Sequence, residues 1–175
     1  AKTANIEVFA TGGIGGVHRD VGQSFDISQD LAALSRISMV VVSAGAKSIL
    51  DLPKTVELLE TLGVSMVGFK TSEFPSFYSR SSGIKRVTKV DSVKKISEVF
   101  LNNRFLETLG ATLVLNPTPA ESEIPIEIMD PIIHSAVAEL NKRGIGGKMV
   151  TPFLLSYIHE KTEGKSLDAN ISLAL

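Results

Sequence analysis

With 175 residues, 43% of them apolar and 21% charged, the chain is long enough for one domain with a full hydrophobic core. A formal net charge of -1 argues against a nucleic-acid binder, which needs a basic surface to neutralise phosphates; one phosphorylated small molecule in a local basic pocket stays compatible with it. The absence of cysteine excludes disulfides, thiolate metal sites and a cysteine nucleophile, and fits a cytoplasmic protein.

No apolar run approaches the ~18–20 residues needed to span a bilayer, and no secretory signal pattern opens the chain. The first residue is Ala1, an apolar strand follows almost at once, and residues 171–175 are apolar too. Both ends read as cuts through a larger fold. An excised methionine or a trimmed terminus describes Ala1 as well.

Residues 6–10 alternate and favour strand. They run into a loop, Thr11-Gly-Gly-Ile-Gly-Gly16, that no regular element would tolerate. Ser28 is placed to cap a short helix through Leu34. Residues 37–43 form a near-continuous apolar run, as expected of a strand buried on both faces, and Ala44-Gly-Ala46 breaks it. Pro53 suits the first turn of a helix that Gly63 ends. Residues 64–69 read as the next strand, and residues 74–83 as an aromatic, serine-rich loop with a functional or packing role. Asp91 or Ser92 caps a helix reaching about Leu109. Gly110 precedes a strand over residues 111–115, and Asn116-Pro-Thr-Pro119 is a rigid turn. Helices follow near residues 127–143 and 152–162. Strands alternating with helices predict an α/β fold, three layers deep, with a largely parallel or mixed sheet.

Lys47 follows a buried strand and a small-residue turn, where α/β folds place ligands. Apolar walls, and a helix N-terminus if one begins near Ser48, would favour its neutral amine, which can attack a carbonyl to form a Schiff base. Spacing by itself favours a surface lysine with its stem along apolar surface. The glycine loop offers backbone amides to an anion, or is a tight structural turn. His18 and Arg19 could donate to phosphate or hydroxyl oxygens, or form a solvated pair. Asp26 and Asp30, either side of Ser28, could hold a hydrated divalent cation; helix capping describes the same pattern. His134 and His159 lie in helical patterns without ligand-spaced partners. Residues 116–121 could line the site, and Asn170 could bond a heterocycle's polar edge or cap a helix.

Several stretches together resemble one family: Phe9-Ala-Thr-Gly-Gly-Ile-Gly-Gly-Val-His-Arg19, Phe25-Asp-Ile-Ser28, Ser43-Ala-Gly-Ala-Lys-Ser-Ile-Leu-Asp51, Leu59-Glu-Thr-Leu-Gly-Val64, Phe77-Tyr-Ser-Arg-Ser-Ser-Gly83, Asn116-Pro-Thr-Pro-Ala-Glu121, Thr151-Pro-Phe-Leu-Leu155 and Ser166-Leu-Asp-Ala-Asn-Ile171. In this order they are similar to the pseudouridine-5'-phosphate glycosidases, also called the indigoidine synthase A-like family. The resemblance covers essentially the whole chain. It implies a homotrimeric lyase that reversibly cleaves the C–C glycosidic bond of pseudouridine 5'-phosphate to uracil and ribose 5-phosphate. It implies Lys47 as the nucleophile forming an imine with C1 of the opened ribose, and Asp26 as the ligand of Mn2+ or another divalent cation, largely through water. Thr11, His18, Ser28, Gln29 and Asp30 match positions around the substrate, and Asn170 a position near the base. Gln29 departs from the small residue often seen there, and Ser43 sits where relatives often carry cysteine.

The family's chain is considerably longer at its N-terminus. The resemblance places a glutamate general acid, a substrate-binding lysine and further strands of the sheet in that part. Residues 1–175 are therefore expected to be a single incomplete domain, completed by an N-terminal segment of the same polypeptide or by a separate chain, and to expose a sheet edge when alone. Two other readings remain open at this point: a non-catalytic relative that binds a sugar phosphate or nucleotide, and a different imine-forming enzyme of aldolase-like chemistry.

Overall fold

The computed structural model describes residues 1–173, the side chain of Lys148 excepted; residues 174–175 of the apolar C-terminal run lie outside them. Five strands form one sheet: β1 (Val8–Ala10), β2 (Val40–Ser43), β3 (Ser65–Phe69), β4 (Thr88–Val90) and β5 (Thr112–Leu115). Their order is β1-β2-β5-β3-β4, and every neighbouring pair is parallel. The helices are α1 (Val21–Ser24), α2 (Gln29–Leu34), α3 (Leu52–Thr61), α4 (Val93–Phe105), α5 (Ile126–Lys142), α6 (Val150–Lys161) and α7 (Lys165–Ser172).

Side chains alternate across a strand, so successive residues feed two different cores. Val40, Val67, Val90 and Val114 meet Phe100 of α4 on one face. Val41, Leu113 and Leu115 point the other way, into a larger core with Leu31 of α2, Leu59 of α3, Ile133 of α5, Ile158 of α6 and Ala169 of α7. The result is the expected three-layer α/β/α arrangement, with the sheet wholly parallel. Both faces of β2 and β5 are covered, which is why their sequences read as unbroken apolar runs. β1 has a single neighbour, and Val8 and Phe9 remain 59% and 47% exposed.

Element ends differ from the sequence reading for local reasons. The helix after Ser92, whose hydroxyl accepts from the Lys95 amide, stops at Phe105 and not near Leu109, because Glu107 adopts a left-handed conformation at φ 54°. No helix begins near Ser48. The chain turns there, and α3 starts at Leu52, where the Asp51 carboxylate accepts from the Lys54 amide at 3.0 Å. Burial works against ionisation of Asp51, but hydrogen bonds from Lys54 and the charges of Lys54 and Arg19 hold its carboxyl below the usual range. The short β4, with two of its three residues exposed, carries too little apolar pattern to stand out, and α1 and α7 were not foreseen.

Parallel neighbours need a crossover. Between β3 and β4 that crossover is an irregular loop, not a helix, and it is packed like a core: Phe74 is fully buried, and Phe77 and Tyr78 nearly so. Replacing Phe74 with alanine is expected to destabilise the fold by about 3–5 kcal/mol, read as a lowered midpoint in urea denaturation with an unchanged slope.

Candidate active site

β1 and β2 end side by side, and their pairing continues beyond them. The Thr11 amide donates to Val42 O at 3.0 Å, Ala44 to Gly12 O at 3.0 Å, Ile14 to Gly45 O at 3.0 Å, and Lys47 to Ile14 O at 3.1 Å. The glycine loop and the turn over residues 44–47 thus form a seam at the carboxyl end of the sheet, the place where open α/β sheets bind ligands. A Cβ on Gly13 would lie 2.5 Å from the Phe77 ring, and one on Gly15 would lie 2.1 Å from Ser28 Oγ. Gly45 has φ +83°, and a Cβ there would meet Pro75 O at 2.2 Å. The amides of Ile14, Gly15 and Val17 donate to Gly45 O, Asp30 Oδ2 and Thr55 Oγ1, so these three are engaged within the protein.

Lys47 is half-buried and lines a cavity of about 350 Å3 with Thr11, Gly13 and Asp30, over an apolar floor of Ile14, Leu34 and Val41. Asp30 is held there by the Gly15 amide, 2.7 Å from its Oδ2. Ser28 caps α2, its hydroxyl accepting from the Asp30 amide at 3.2 Å. Gln29, the first residue of α2, is exposed. Thr11 also lines a second cavity, of about 180 Å3, with Gly12, Ser43, Asn116 and Asn170.

His18 and Asp26 line a third cavity, of about 410 Å3, against α5 and α6. His18 Nε2 is 3.8 Å from Asp26 Oδ2. Of the two carboxylates that flank Ser28, Asp30 lines the Lys47 cavity and Asp26 the His18 cavity. Among the described residues no group of three or more His, Asp and Glu side chains is arranged to hold a metal. Asp26 is half-exposed and shares its cavity with the oxygen donors Asp20 and Ser24, a set that fits a hard cation retaining most of its waters. Arg19 lines the same cavity and donates from Nε to Ile49 O and from Nη2 to Ser48 O, and so braces the turn after Lys47.

Sequence reasoning left Phe77 and Tyr78 in a loop of open purpose. Phe77 lies over Gly12 and Gly13, held by its amide to Ala44 O at 3.0 Å and by the Thr118 hydroxyl to its carbonyl. Two aromatics amid serines and glycine were the available signal. Burial pushes the Tyr78 phenol up to about 12, against the opposing pull of Asn170 and Ser166 beside it. A folded-state value above the unfolded one stabilises fully below about pH 10 and is lost as pH rises through about 12. Wild-type stability is expected to fall by about 2–3 kcal/mol more than that of Tyr78→Phe across this window, measured by urea denaturation at pH 9.5 and 12.

The sequence model described as indigoidine synthase A like protein matches residues 1–175. A pseudouridine-5'-phosphate glycosidase of Paracoccus denitrificans (strain Pd 1222) is 51% identical over 175 residues, covering 100% of this chain and 58% of the relative. One of Staphylococcus aureus (strain MW2) is 47% identical over 173 residues, covering 99% and 56%. The chain thus spans a little over half the length of these curated relatives. Among solved structures, an indigoidine synthase A-like protein of Thermotoga maritima superposes with a TM-score of 0.88 at 43% identity, covering 98% of this chain and 56% of that one. The prealnumycin C-glycosynthase AlnA, solved in complex with ribulose 5-phosphate, gives a TM-score of 0.92 at 35% identity, covering 99% and 57%. The match from the first residue to the last, joined to this fold, shows that the chain belongs to the indigoidine synthase A-like family.

Proposed function

We propose that this chain carries the imine-forming part of a pseudouridine-5'-phosphate glycosidase, a lyase that reversibly splits pseudouridine 5'-phosphate into uracil and ribose 5-phosphate. One observation supports it above the others: a lysine at the carboxyl end of a parallel sheet, half-buried in a cavity large enough for a sugar phosphate. The names of the relatives point to the same substrate, and the AlnA complex shows a pentose phosphate bound to a protein of this fold.

A C-glycoside has no leaving oxygen or nitrogen at the scissile bond, so the sugar must supply an electron sink. In the synthetic direction the free amine of Lys47 condenses with the C1 aldehyde of open-chain ribose 5-phosphate, releasing water and leaving an iminium. C5 of uracil adds to C1, forming the C–C bond, and then loses its proton. The sugar's ring hydroxyl displaces the lysine amine and closes the ribose. Cleavage runs these steps backwards, uracil C5 taking up a proton as the bond breaks. Thr11 and Asp30 are proposed to orient the sugar hydroxyls beside Lys47, with Ser28 and the start of α2 near the phosphate; Gln29 would contribute through its backbone. His18 is assigned to the sugar-phosphate side, and Asn170 to the base.

Asp26 is proposed to hold Mn2+ or a similar ion, which would supply positive charge near the phosphate. A homotrimer in the cytoplasm is proposed with this reading, on the family likeness. No described helix is long and apolar enough to cross a membrane.

Borohydride added with ribose 5-phosphate to the full-length protein should trap an adduct on Lys47, seen by intact mass and peptide mapping. Lys47→Ala should abolish it. Tight ribose 5-phosphate binding with no adduct and no uracil formation would leave a non-catalytic sugar-phosphate binder in its place. For the cation, Asp26→Asn is expected to remove the bound Mn2+ signal from an electron paramagnetic resonance titration while leaving the adduct on Lys47 detectable.

A further inference from the structure

Two buried side-chain oxygens without partners belong to the same small cavity. Among the described residues the Ser43 hydroxyl and Asn170 Oδ1 are both enclosed and have no hydrogen-bond partner, and Ser43 is only 2% exposed. Both residues line a space of about 180 Å3, together with Thr11, Gly12 and Asn116 among others. A buried hydroxyl or amide oxygen left unpaired is unfavourable, and folded proteins keep few of them. The strand gives no reason for this one. Ser43 pairs with Leu115 in the ladder and its carbonyl accepts from the Asn116 amide at 2.8 Å, both backbone matters that alanine would satisfy equally. Asn170 is fixed in place: its amide neighbours the Tyr78 hydroxyl, and a Cβ on Gly12 would come within 3.2 Å of its Oδ1.

We propose that Ser43 determines specificity for the base, donating its hydroxyl proton to a ring carbonyl while Asn170 Oδ1 accepts from the adjoining ring N–H. The inference rests on the glycosidase reading and deepens it. Adjacent C=O and N–H groups are the edge of a cyclic imide or lactam, the pattern that uracil carries. One six-membered ring fits such a space, since a cavity of about 150 Å3 admits benzene. Thr11 lines both this cavity and that of Lys47, so a base here and a sugar there would lie on either side of one residue, as the C–C bond between them requires.

The test uses the full-length protein in the synthetic direction, with uracil varied at saturating ribose 5-phosphate. Ser43→Ala should raise the KM for uracil roughly three- to tenfold. The KM for ribose 5-phosphate and the borohydride adduct on Lys47 should not change. The melting temperature should hold or rise, because no hydrogen bond within the fold is lost. Ser43→Cys, which keeps a weak donor, should restore part of the uracil affinity. A trapped adduct together with an unchanged uracil KM in Ser43→Ala would overturn the assignment of Ser43 alone. A fall in melting temperature with both KM values raised would also overturn it, as the mark of a structural role. Absence of any adduct in the wild-type protein would remove the glycosidase reading and this inference with it.

Discussion

Past the last regular pair of β1 and β2, the two backbones remain hydrogen-bonded through Gly12, Ile14, Ala44, Gly45 and Lys47. Glycines on both of its sides let neighbouring segments pack directly against this backbone. The positions where a Cβ would strike Phe77, Ser28 or Pro75 are occupied by Gly13, Gly15 and Gly45. Each backbone bond contributes only about 1 kcal/mol net, but an unmade one in this buried setting costs more, so the seam is kept as a unit. Because it is anchored at the Lys47 amide, the direction in which that lysine leaves the backbone is set by the strands and not by the side chain's own rotamers.

The same seam decides which polar groups are available. Asp30 loses one oxygen to the Gly15 amide and thereby becomes part of the wall beside Lys47. Thr55 takes the Val17 amide and donates to Asp51 O at 2.7 Å, locking the far end of the loop to the start of α3. Asp26, two residues before Ser28, whose amide donates to Gly16 O, lies beside His18 in another cavity. One short stretch, residues 11–30, thus distributes carboxylates, hydroxyls and an imidazole among three neighbouring cavities.

Much of this could be read from the residues, and the physical reasons for the rest are specific. The run at residues 37–43 declared a strand covered on both sides, and Ser28 and Ser92 declared helix starts, because these signals are local. The condition of a helix starting near Ser48 is not met: the next helix starts at Leu52, capped by Asp51. Which cavity Asp26 and Asp30 each line was illegible, because it depends on contacts with Gly15, Ser24 and His18 that lie outside the local pattern. Phe77 over the glycine loop depends on a packed crossover between parallel strands, and no periodicity announces such a segment.

Two buried serines, Ser43 and Ser48, bracket the Lys47 turn. Ser43 and Ser48 are each 2% exposed, and neither hydroxyl has a partner. The backbone around them is already held without those hydroxyls: Asn116 donates to the Ser43 carbonyl, and Arg19 clamps the carbonyls of Ser48 and Ile49. Alanine at either position would therefore leave the turn's own hydrogen bonds intact and remove a desolvated polar atom, a change that favours folding. On the proposed reading, a base in the cavity shared by Thr11, Ser43 and Asn170 would give the Ser43 hydroxyl its partner.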